Sequence, residues 1–228
     1  MKAITGKTLR IVAVVFMGLA ATMNILGGIG TVCAAFLTKD YPPMWVFMDY
    51  QWQYQTLMIT TIAIGIAGVW STMQLVGGGK TVYRNALIIL SIGTLLSGTQ
   101  YFASLAIRGK GVPANIKFYT NVVGLIIFLI LKAPGIRERM DFVTPMRKAE
   151  KMAANGMASF VAGIVIVTIF AWAGPSHMYQ GNNWVEVLDA PLIAGGVILV
   201  IGGLVGVIRS MKELVYQEKL EVEFHRIA

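Results

Sequence analysis

The sequence predicts an all-α integral membrane protein, a bundle of about six transmembrane helices with both termini cytoplasmic. Three observations predict it. The chain is 56% hydrophobic and 13% charged over 228 residues, with a mean hydropathy of +0.69. A soluble domain cannot wrap that much apolar surface in a polar shell, whereas lipid as solvent removes the requirement. Six apolar stretches approach the roughly 20 residues that a spanning helix needs, and the basic residues crowd onto alternate loops.

The first stretch runs from Arg10 to Leu37. It opens like a signal peptide, with a basic start, an apolar run and then Cys33-Ala34-Ala35. That run is about twice the length of a signal-peptide core, and Val32 before Cys33 is a poor lipoprotein site, so the segment is expected to stay as a span. A lone cysteine forms no internal disulfide, and Cys33 reads as a small packing residue.

The second stretch is Gln55 to Val76. Before it lies a long aromatic outer loop, residues 38–55. Asp40 followed by Pro42 and Pro43 favours a helix start. Either the second helix begins near Pro43 and projects above the bilayer, or Met44 to Tyr54 lies flat on the interface. Gly77-Gly78-Gly79-Lys80-Thr81 follows. It is not a phosphate-binding loop, because Gln74 stands where a glycine is needed and an apolar helix, not a strand, precedes it.

The third stretch is Arg84 to Ile107. The fourth, Lys117 to Leu131, and the fifth, Ala158 to Ala173, are short and should borrow turns from Pro113 and Ala153 onward. A five-span reading would drop one of them and put basic loops on both faces. Pro134-Gly135 ends the fourth helix, and Pro145 begins a basic amphipathic stretch. The sixth span is Ala190 to Ile208. The chain thus divides into a four-helix part (1–132), a basic cytoplasmic loop (133–157), a two-helix part (158–210) and a cytoplasmic tail (211–228). In the tail, Lys212 to Lys219 suits a helical extension, and the alternation from Leu220 to Phe224 is a strand signal in an otherwise solvated segment.

Of the 19 Lys and Arg residues, all but Lys39, Arg108, Lys110 and Lys117 fall in the N-terminal segment, the second and fourth loops, and the C-terminal tail. By the positive-inside rule these segments face the cytoplasm of a cell (cytoplasmic, inner) membrane. The net charge of +8 therefore needs no nucleic-acid partner. The loop from Lys132 to Lys151 can also attract anionic lipid.

The chemistry in the spans is sparse. All 11 acidic residues lie in loops, at helix ends or in the tail, which argues against proton pumps, ion-coupled carriers and voltage sensors. The spans are expected to hold only neutral polar groups: Asn24, Trp70, Ser71, Gln74, Thr99, Gln100, Tyr101 and Asn121. Asn24, Gln100 and Asn121 either bond neighbouring helices or line a cavity. The 2 histidines, His177 and His225, fall on opposite faces, which excludes a bis-histidine haem and leaves no set of zinc ligands. His177 is the candidate contact for a bound quinone or pigment, with Glu186 and Asp189 near it in sequence.

Two features suggest association. Gly195, Gly196, Gly202 and Gly206 line the sixth span, and small pairs such as Gly93 with Ser97 and Gly30 with Ala34 recur; small residues let helices approach closely within a chain or between chains. Tyr41, Trp45, Phe47, Tyr50, Trp52 and Tyr54 crowd the first outer loop, with Tyr179 and Trp184 in the last. They fit an interfacial belt, a partner interface or an amphipathic pocket.

Missing chemistry beside strong packing signals leads to the expectation of a non-catalytic multi-pass membrane subunit. It would contact membrane lipids and either itself or other membrane subunits through the sixth-helix glycines and through Trp45, Trp52 and Trp184. A small-solute or lipid transporter or channel is the alternative, and a quinone- or lipid-binding redox subunit at the outer leaflet is the third reading. No metal or resident cofactor is predicted; a bound lipid, quinone or pigment is compatible.

Overall fold

A computed structural model describes residues 6–183, 185–186 and 189–227. Six helical units are long and apolar enough to cross a membrane, Gly6–Ala35, Pro42–Gly77, Val82–Arg108, Ala114–Leu131, Lys148–Val167 and Asp189–Gln217. The helices are α1 (Gly6–Gly30), a one-turn continuation α2 (Val32–Ala35), α3 (Gln51–Gly77), α4 (Val82–Arg108), α5 (Ala114–Leu131), α6 (Lys148–Val167), the short α7 (Ile169–Ala173) and α8 (Asp189–Ile227). A two-stranded ribbon, β1 (Met178–Tyr179) with β2 (Asn182–Asn183), lies between α7 and α8. The loops alternate between a basic end, which carries Lys80 and Arg147, and an aromatic end, which carries Tyr41 and His177.

Several boundaries differ from the sequence reading. The aromatic loop is helical from Pro42, next to the expected start at Pro43. It is a 3₁₀ helix, Pro42–Tyr50, that passes directly into α3. The paired prolines set its first turn, where Met44 N–H donates to Tyr41 C=O at 2.8 Å. The fifth span is shifted towards the N-terminus. Glu150 accepts from the Arg147 N–H at 3.2 Å and starts α6 at Lys148, so residues 148–157 of the expected basic loop are helical. At its other end α6 stops at Val167 and α7 takes over. The expected strand at Leu220 to Phe224 is helix instead, because α8 continues to Ile227. A helix satisfies its backbone internally, whereas a strand needs a partner edge, and β1 and β2 pair only with each other.

Helix α1 is the hub and packs against α3, α4, α5 and α6. Ala13, Val14 and Met17 on α1 meet Leu75 on α3, Leu90 on α4 and Phe128 on α5 in the largest apolar cluster. Helix α8 packs almost wholly on α6, and the pair is close because glycines face each other. A Cβ on Gly203 would lie 2.5 Å from Phe160 N, and one on Gly163 would lie 2.7 Å from Gly196 O. Such crossings gain dispersion contacts that lipid cannot supply. Ser210 Oγ also donates to Ala149 C=O at 2.8 Å across this pair.

At the basic end Arg10 ties two segments together. Only 5% exposed, its guanidinium donates to Leu75 C=O at 2.9 and 2.7 Å, to Asp141 C=O at 2.7 Å and to Thr144 C=O at 2.6 Å. It thereby joins the end of α3 to the loop before α6. The Asp141 carboxylate shapes that loop by accepting from Val143 N–H at 2.7 Å and Thr144 N–H at 3.0 Å. Hydrogen bonds from Thr144 and Val143 hold the Asp141 carboxyl below its usual pKa.

Candidate ligand-binding cavity at the aromatic end

A cavity of about 120 Å³ opens among α1, α2, α3, α4, α5, α7 and the start of α8. Its floor is built on α5. The buried residues of that helix, Ala114, Lys117, Asn121, Gly124, Phe128 and Leu131, recur at alternating intervals of three and four and form one inward stripe. Lys117 is therefore carried into the bundle and is 1% exposed. Its ammonium donates to Gln100 Oε1 on α4. Gln100 Nε2 donates to Thr31 Oγ1 at 2.8 Å, and Thr31 Oγ1 donates to Gly27 C=O at 2.5 Å. Gly27 makes room for the lysine stem, since a Cβ there would sit 2.6 Å from Lys117 Cδ.

The polar path continues towards the bundle centre. Asn121 Nδ2 donates to Lys117 C=O at 2.9 Å and to Asn24 Oδ1 at 3.2 Å, while Asn24 Nδ2 donates back to Asn121 Oδ1 at 3.0 Å. Of the three amides singled out in the sequence, Asn24 and Asn121 thus bond each other across α1 and α5, and Gln100 alone lines the cavity. The expectation that the spans hold only neutral polar groups is corrected by Lys117. The sequence reading placed it in an outer loop, but α5 begins at Ala114 and its neighbours enclose it.

The upper wall carries more donors. Tyr54 OH and Ser104 Oγ are hydrogen-bonded at 3.0 Å. Arg108 donates from Nε to Lys110 C=O at 3.1 Å and from Nη2 to Val112 C=O, and its guanidinium lies over the Phe47 ring, 5.7 Å from the centroid. His177 Nδ1 lies 2.9 Å from Ala173 C=O; a carbonyl only accepts, so Nδ1 is the protonated nitrogen. Burial pushes the His177 pKa down, the Ala173 bond opposes that, and the charge of Arg108 lowers it further. The rest of the wall is apolar, with Met23, Leu26, Ile169, Trp172 and Leu192.

His177, named from sequence as the cofactor contact, does line the cavity. Its expected companions differ. Tyr50 faces a separate groove, Trp184 lies outside the described residues, and Glu186 is exposed and outside the lining. Phe47 and Tyr54 stand there instead, both 2% exposed and with rings 4.5 Å apart. Among the described residues no carboxylate lines the cavity, and the ion pairs all lie at the basic end, at Glu150 and Glu213.

The association candidates divide in two. Trp45 and Trp52 are 48% and 66% exposed. Gly196 and Gly206 are used within the chain against α6, whereas a Cβ on Gly195 or Gly202 would meet nothing within 4 Å. The open groove beside the cavity is lined by Val46, Tyr50, Trp52 and Thr99 and shares Tyr54 with it. Lys117, Arg108 and Tyr54 are the residues that sequence reasoning missed as a site. The stripe that pairs Lys117 with Asn121 one helical turn on was the signal available for the first. No family model, curated protein or solved structure matches the chain.

Proposed function

We propose that this chain is a non-catalytic multi-pass membrane protein, with its basic end in the cytoplasm, that binds a small amphipathic molecule in the cavity at its aromatic end. One observation carries the reading. The cavity joins an apolar wall, including Leu26, Phe47 and Trp172, to the buried or half-buried polar groups of Lys117, Ser104, Arg108 and His177. Pockets that are mostly apolar with a few convergent polar groups are the usual form of a small-molecule site. The shared Tyr54 supports access from the bilayer, since only that side chain is common to the cavity and the groove beside it. The alternation of charge supports the orientation.

The test is to isolate the full chain from its native membrane in a neutral detergent and extract what it carries. A stoichiometric lipid or quinone-type amphiphile is expected in the wild-type protein. Gly30→Leu should lose it, because Gly30 lines the cavity and a Cβ there meets nothing within 4 Å. The added side chain fills space without moving backbone. Equal recovery from both proteins sinks the reading.

A second reading is lateral assembly with another copy or another membrane subunit. It is favoured by α8, where 11% of an apolar 18-residue stretch of Asp189–Gln217 is buried within the chain against 44% of the corresponding stretch of Gly6–Ala35, and whose Gly195 and Gly202 face open space. Cross-linking from a cysteine placed at Gly202 in native membranes tests it, and an entirely monomeric product counts against it.

A further inference from the structure

Resting on the cavity reading, the structure supports a narrower statement about the ligand. Lys117 is 1% exposed and has no carboxylate within 4 Å among the described residues. An ammonium has three donors, and here one is used, by Gln100. A guanidinium has five; Arg108 spends its Nε and Nη2 donors on the carbonyls of Lys110 and Val112. The acceptor nearest the ammonium is already engaged. Gln100 Oε1 takes the Lys117 proton, and the Tyr54 and Ser104 hydroxyls bond each other.

The described lining thus carries the cationic donors of Lys117 and Arg108 and no acid. A buried cation requires a compensating anion or full hydrogen bonding, and no protein group on the lining provides the anion. Size narrows the choice. A volume of about 120 Å³ is close to that of a cavity that admits benzene, enough for a small head and the first carbons of a chain but not for a bulky headgroup. We infer that the ligand is a single-chain amphiphile ending in a small oxyanion, a fatty carboxylate, whose head is held by Lys117 and whose first methylenes lie against Phe47 and Trp172.

The test uses the full chain in a neutral maltoside detergent. Quenching of tryptophan fluorescence by 6-bromohexanoate is compared with quenching by 6-bromohexanol, and the signal is taken as the part lost in Trp172→Phe. The acid should bind tighter than the alcohol by about tenfold or more, as expected for hydrogen bonds to a charged group. Lys117→Met should bring the acid down to the level of the alcohol and leave the alcohol unchanged. Should Lys117→Met fail to fold, Lys117→Gln, which keeps a donor for Gln100, is read in its place, with the same loss of preference for the acid. Equal affinity for acid and alcohol overturns the anionic head and leaves the cavity reading standing. Absence of quenching by either probe overturns both. Displacement by acetate or inorganic phosphate as effective as by hexanoate shows a free-anion site and overturns the amphiphile.

Discussion

Asn24 on α1 and Asn121 on α5, 97 residues apart, exchange two hydrogen bonds, each amide donating to the other's oxygen at 3.0 and 3.2 Å. Both are buried, at 3% and 0% exposure. Asn121→Leu strands the Asn24 amide and should cost about 1–3 kcal/mol. The double variant Asn24→Leu/Asn121→Leu should cost less than the sum of the singles by about 0.6–2 kcal/mol. Unfolding by SDS in mixed micelles measures the cycle, and additive singles would remove the pair as a stabilising unit.

Gly203 and Gly202 are neighbours on α8 with opposite surroundings. Gly203→Ala drives a methyl to 2.5 Å from Phe160 N, whereas Gly202→Ala meets nothing within 4 Å. The first should destabilise by about 1–3 kcal/mol, and the second should stay within about 0.5 kcal/mol of wild type. The same micelle assay reads both, and equal effects would mean that α6 and α8 do not cross here.

Arg10→Lys keeps the charge and discards the fork that reaches three carbonyls at 2.9 Å or less. The loss should be about 2 kcal/mol or more. Arg84, an exposed residue at the same end, should tolerate lysine within about 0.5 kcal/mol. Topology mapped with accessible cysteines should be unaltered in both, which separates the structural part of Arg10 from its charge.

His177 links stability to pH. Its folded pKa is lowered, first by burial, so the folded protein holds fewer protons than the unfolded chain just below the ordinary histidine value of about 6.5. Stability then rises with pH in that window. The contribution is complete above the unfolded value and is lost as pH falls through it towards the folded one. Melting temperature should drop between about pH 7.5 and 5.5 in the wild type and drop less in His177→Gln. Parallel curves would assign the pH dependence elsewhere.

Much of the architecture was legible because apolar run length is a local property. The six spans follow from it, and so does the extension of the fourth to Ala114. Helix starts were less legible where a single side chain decides them, as Glu150 does for α6. Lys117 was misplaced because a charge near a helix end reads as loop unless the inward stripe on which it lies is followed to Phe128. The convergence of His177 on Arg108 and Phe47 depends on long-range packing of α7 against the first bundle and has no trace in local sequence. The glycines of α8 were seen as a set, but only contact with α6 separates Gly196 and Gly206 from Gly195 and Gly202.

The cavity is assembled out of chain order. Its polar floor is complete when Lys117 leaves the ribosome, but its apolar cover, from Ile169 to Leu192, comes later. At synthesis rates of about 5–20 residues per second the interval is several seconds. During that time the Lys117 ammonium has half its shelter missing. The last hairpin closes over that floor and also gives Ala154 of α6 to the apolar cluster around α1, so its late arrival completes core and cavity together.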